Sequence, residues 1–132
     1  MTLVRLRNLL PLLCLVLLAG CGPRKTSRLP ALVTHMKQGG IHGKISGGAG
    51  LCRDSVDHVT LTLSMHEGGF KIVAIDECPS ADAAKACLEG LDAGTFDAVA
   101  SHGPFVMACN FLPDNTGEAG EVIKVFKSFP LP

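Results

Sequence analysis

The chain has 132 residues, room for one small domain, and its 12 Lys and Arg balance 12 Asp and Glu, so no overall positive charge is available to hold nucleic acid. It has no Trp and no Tyr, which weakens the case for a carbohydrate platform or an aromatic binding hot spot. Six cysteines in so short a chain make the redox compartment an early question.

The N-terminal stretch answers it. Arg5 and Arg7 precede an apolar run from Leu9 to Ala19, the layout of a secretory signal peptide. The run is too short to span a bilayer as a helix, which takes ~20 apolar residues. It ends in Leu18-Ala19-Gly20-Cys21, which resembles the lipobox of bacterial lipoproteins. The resemblance implies that residues 1–20 are a signal peptide and that Cys21 is acylated, becomes the first residue of the mature chain and anchors it in membrane lipid. By resemblance to lipoprotein sorting patterns, Gly22 rather than Asp after Cys21 points to the periplasmic face of the outer membrane if the source is Gram-negative.

Residues 21–50 read as a lipidated cysteine and a flexible basic tether. Pro23, Pro30, Gly39-Gly40 and Gly47-Gly48 punctuate it. Between 22 and 50 stand Arg24, Lys25, Arg28, Lys37 and Lys44 with no acid, whereas residues 51–132 hold five Lys and Arg against all twelve acids. A basic tether suits an anionic membrane surface at roughly 1 kcal/mol per cation. Leu32, Val33 and Met36 suit one helical turn, and Ile41 to Ser46 an edge strand.

From Val56 the pattern sharpens into a small α+β domain over 51–132. Val59, Leu61, Leu63 and Met65 alternate with polar residues, the signature of a half-buried strand. After a His66-Glu67-Gly68-Gly69 turn, Phe70 to Asp76 forms a second strand, and a Gly68-Gly69 turn places residue 78 opposite 59. Ser80 and Asp82 open a helix that carries Ala84, Cys87, Leu88 and Leu91 on one stripe. Strands follow over 96–100 and 105–112, joined at His102-Gly103-Pro104, and a last helix spans about 117–129 with Val122, Ile123, Phe126 and Phe129 inward. The ββαββα order predicts a two-layer, four-stranded antiparallel sheet with both helices on one face.

Once Cys14 leaves with the signal peptide and Cys21 takes lipid, Cys52, Cys78, Cys87 and Cys109 remain, an even set in an exported chain that predicts disulfides. Cys78 to Cys87 is disfavoured, since nine helical residues separate them by roughly 13 Å. The expected pairs are Cys52–Cys78 and Cys87–Cys109.

Motifs for chemistry are sparse. No HExxH, His-x-His, CxxC or GxSxG is present, no cofactor is implied and no metal site is expected. His66 and His102 are weak candidates for a metal, provided the two hairpin turns share one end of the sheet. Asp76-Glu77 at a strand end reads as capping more readily than as a paired-carboxylate site. The sequence therefore predicts a membrane-anchored envelope lipoprotein with a non-catalytic interaction domain, an envelope protein as partner and no nucleic acid. The alternative is a lipoprotein that binds a small ligand or metal.

Overall fold

The computed structural model describes residues 26–91, 94–112 and 116–132, so the expected signal peptide and acylated Cys21 lie outside the described residues. Leu29, Leu32, Val33 and Met36 recur at i, i+3, i+4 and i+7 and line one face of helix α1 (Leu29–Gln38). All four are buried, Leu32 and Met36 completely. Pro30 lies in the first turn, where its missing N–H has no helical acceptor to lose, and Gly39 closes the last. The flexible tether expected through residue 50 is thus folded from α1 onward. Burying four such side chains at about 1.5–3 kcal/mol each outweighs the flanking proline and glycines. Residues 26–132 hold eight Lys and Arg against twelve acids, a net −4, and only Arg24 and Lys25 of the basic stretch precede them.

A three-residue strand β1 (Lys44–Ser46), exposed throughout, follows as the expected edge strand. Then come β2 (Asp57–His66), β3 (Gly69–Glu77), helix α2 (Ala81–Gly90), β4 (Ala98–His102), β5 (Phe105–Leu112) and helix α3 (Thr116–Lys127). Every pair in the sheet is antiparallel and the order is β1-β2-β3-β5-β4. The α+β class and the antiparallel sheet are as the sequence predicts. The described residues add α1 and β1, giving five strands and three helices in place of four and two.

The two faces of the sheet are covered differently. Val59, Leu61, Val73, Ile75, Phe105 and Met107 point to one face and pack with the stripes of α1 and α3 in the main core. On the other face Val106 packs with Ala84 of α2 and with Cys52 and Cys78 in a second cluster. The expectation of both helices on one face is therefore corrected: α2 and α3 lie on opposite faces. The physical cause is visible in β5, where Phe105 to Cys109 is buried without a break, the mark of a strand covered on both sides. Helix α2 crosses over β5 to connect β3 to β4, which run parallel with β5 between them. The two ββα segments consequently pack in non-equivalent ways.

The first hairpin turns through Glu67 and Gly68, with His66 paired to Gly69 and Gly68 at φ +85°. The turn lies one residue earlier than the expected Gly68-Gly69, which moves the register by two, and a bulge between Thr62 and Ser64 moves it by one more, so Ile75 and not Cys78 stands opposite Val59. Gly69 admits no side chain, because a Cβ there would strike the Leu112 carbonyl and the His66 ring.

Cys109 lies at the centre of the main core, fully buried between Val73 and Ala98 on the neighbouring strands. Burial, with Asp97 second, pushes its thiol from an ordinary 9.0 up to about 12. The unfolded chain therefore loses this proton first as pH rises, and the native state is favoured less. This thiol is expected to lower stability by about 1.4 kcal/mol per pH unit from about pH 9 towards 12, read by urea unfolding, and Cys109→Ala removes that contribution from the slope.

Candidate functional site

The strand-end acids are structural. Asp76 and Glu77 are both buried but point to opposite sides of the sheet, so they cannot act as a pair on one substrate. Asp76 accepts the Cys52 N–H through Oδ2 at 3.0 Å, holding the loop before β2 on the α2 side. Glu77 Oε2 accepts the Arg28 N–H at 3.0 Å and lies 2.8 Å from Ser27 Oγ. Ser27 Oγ also lies 2.6 Å from Asp57 Oδ2, and its single proton serves one carboxylate at a time. Residue 28 provides no side-chain cap for α1, so a glutamate from β3 supplies the acceptor, at the helix end where negative charge is favoured. Glu77→Ala is expected to cost about 1–2 kcal/mol by chemical denaturation, the range of a lost N-cap.

The histidines do not converge. His66 sits at the β2–β3 turn and His102 at the β4–β5 turn, next to the two ends of β3 respectively. Eight residues of strand separate those ends by about 26 Å. The proposed pairing fails because β3 and β5 are antiparallel neighbours, which sends the two turns to opposite ends. His102 instead donates from Nε2 to the Phe129 carbonyl at 2.6 Å and packs edge-on against Phe126. His35 lies 2.8 Å from Ser128 Oγ and against Phe129, while His58 is exposed as its strand position predicts. Among the described residues no three His, Cys, Asp or Glu are grouped to hold a metal ion.

The cysteines pair otherwise than expected. The bond is Cys52–Cys87, with Cα atoms 5.6 Å apart, and Cys78 and Cys109 are buried free thiols. Cys87–Cys109 is excluded by the placement of α2, which puts Cys87 on one side of the sheet and Cys109 on the other. Cys52–Cys78 rested on a hairpin register that the Glu67-Gly68 turn and the bulge together change by three residues.

The feature that sequence reading missed is on the sheet face opposite the main core. Up to Thr62, odd-numbered residues of β2 point into the core; past the bulge, Met65 pairs with Phe70, which pairs with Leu112, and all three lie on the other face. Met65 is 76% exposed and Leu112 51%, with Phe70 and Ile72 half-buried beside them. Strict alternation would have turned Met65 inward. Nothing local in Thr62-Leu63-Ser64 announces the extra residue. At the other end of the sheet, where the described chain begins, a cavity of about 530 Å³ is lined by Thr26, Val56, Cys78 and three prolines, with Arg28 and Glu77 at its polar edge.

No protein-family model, curated protein or solved structure matches this chain. The geometry therefore speaks alone: a disulfide-tied α+β unit with an exposed apolar row at the end of the sheet remote from its N-terminal entry.

Proposed function

We propose that this chain is a bacterial envelope lipoprotein, anchored through an acylated Cys21, whose α+β domain is a non-catalytic module that docks an envelope protein. The observation that carries this reading is the Met65–Phe70–Leu112 row. A bulge turns a large apolar side chain out of the core and sets it beside two others, and contiguous exposed apolar groups mark contact surfaces. The row lies about 26 Å from the end of β3 where Thr26 enters, so it faces away from an anchor attached at that end. A protein in the envelope, rather than the anchoring bilayer, suits that position. The net −4 of residues 26–132 also supports a domain held off an anionic membrane surface.

A photo-crosslinking residue placed at 65 or 112 in the source cell is expected to give one discrete adduct, and at 45 none. Met65→Lys combined with Leu112→Lys should abolish the adduct while changing stability by no more than about 0.5 kcal/mol. Adducts of equal strength from all three positions, or none from 65 and 112, would defeat the docking reading.

A further inference from the structure

The second cluster holds three of the four cysteines of the folded part. Cys78 shares it with both halves of the Cys52–Cys87 bridge, along with Ala84 and Val106. The segment before β2 is laid along the end of β3 by two bonds, Cys52 N–H to Asp76 Oδ2 at 3.0 Å and Val56 N–H to the Glu77 carbonyl at 2.8 Å. Cys78 is the next residue of that same strand end, held by its own N–H to the Pro104 carbonyl at 2.7 Å. Cys52 and Cys78 are thus both held at the end of β3, and Cys87 of α2 packs against the same cluster.

We propose that Cys52, Cys78 and Cys87 form an intramolecular thiol–disulfide exchange site, in which Cys78 takes Cys52 from Cys87 and frees α2 from the loop before β2. The Cys78 thiolate attacks Cys52 Sγ, the Cys52–Cys87 bond breaks, and Cys87 leaves as a thiolate that takes up the proton Cys78 gave away. One disulfide and one thiol stand on each side, so no outside oxidant or reductant enters. The groups around Cys78 set the rate. Burial first, then the carboxylates of Asp76, Asp54 and Glu77, push its thiol up, and the Arg28 guanidinium at the edge of the cavity is committed to the Pro130 carbonyl and the Phe129 ring. Exchange is therefore slow near neutral pH and quickens as Cys78 ionises. Exchange does not depend on the anchor or on the docking row.

The test uses the oxidised mature protein held folded at about pH 6 and about pH 9, quenched in acid, alkylated in denaturant and mapped by mass spectrometry. At the start Cys78 and Cys109 should carry the alkyl label and Cys52–Cys87 the bond. At the higher pH a Cys52–Cys78 peptide should grow in, with label moving to Cys87 and staying on Cys109, about tenfold faster per pH unit. Cys78→Ala should abolish it. Cys87→Ser, oxidised with glutathione disulfide, should form Cys52–Cys78 with an unchanged far-ultraviolet spectrum. A bridge that stays at Cys52–Cys87 throughout overturns the proposal. So does new pairing that recruits Cys109 as readily as Cys78, which signals global unfolding, and so does a folded Cys87→Ser protein that keeps Cys52 and Cys78 apart.

Discussion

Leu32→Ala is expected to lose about 2–5 kcal/mol of stability, the range for truncating a fully buried leucine. Leu32 is wholly inaccessible at the centre of the α1 stripe, against the core that Phe126 and Val122 of α3 build from the other side. For a domain with a total stability of about 5–15 kcal/mol this is a large share, and the midpoint of urea unfolding should move strongly with little change in slope. Lys37→Ala, on the exposed side of the same helix, should stay within about 0.5 kcal/mol. The contrast matters because a solvated tether over residues 21–50 would make both substitutions silent. If Leu32→Ala costs nothing, α1 is not part of the core.

Cys52→Ser is expected to cost about 3–4 kcal/mol, through loss of the bond that closes a 35-residue loop. The loop reaches from the segment before β2, through the whole first hairpin, to the last turn but one of α2, so its removal releases a large part of the unfolded chain's freedom. Cys109→Ser provides the contrast: it breaks no bond, and its cost is that of a hydroxyl in the core. Thermal unfolding of the two proteins under reducing and oxidising conditions separates the effects. Reductant should lower the midpoint of Cys109→Ser protein and leave that of Cys52→Ser unchanged. If Cys109 were paired, as its place in an exported chain first suggests, the Cys109→Ser protein would instead lose part of its response to reductant.

What the sequence made legible, and what it did not, follows from how local each determinant is. The strand Phe105–Leu112 announces itself by a continuous apolar run, and α2 by the Ser80 hydroxyl that accepts the Ala83 N–H. Both are local signals. Helix α1 is legible in part: Leu32, Val33 and Met36 suit a turn, but Leu29 completes the stripe, and Pro30, a linker signal in the sequence, fills a first turn. The face on which α2 packs is a long-range fact, set by the crossover over β5, and no spacing within α2 encodes it. The disulfide was misread for the same reason, since its geometry depended on a hairpin register. The turn at Glu67-Gly68 moves that register by two residues and the extra residue between Thr62 and Ser64 by one more, and the extra residue also re-aims Met65. The docking row and the true cysteine pairing are two consequences of structure that a period-two pattern cannot carry.

The histidine pair shows the opposite case, a proposal whose condition was explicit. His66 and His102 could meet only if both turns lay at one end, and the antiparallel β3–β5 pairing puts them at opposite ends. His102 then has a packing role, tying the β4–β5 turn to the segment after α3. Glu77 and Arg28 do the same for the start of α1, the first by capping its N-terminus and the second by reaching the Pro130 carbonyl at 3.2 Å and lying over the Phe129 ring.

The measurement that tests the anchored-lipoprotein account most directly is the intact mass of the full-length protein after expression in a bacterium, extraction from membranes in detergent, and no reduction. The account predicts residues 21–132 plus acyl groups on Cys21, lighter by two hydrogens for the single Cys52–Cys87 bond. An unacylated chain, or one that retains residues 1–20, would contradict the anchor. A chain lighter by four hydrogens would contradict the assignment of Cys78 and Cys109 as free thiols.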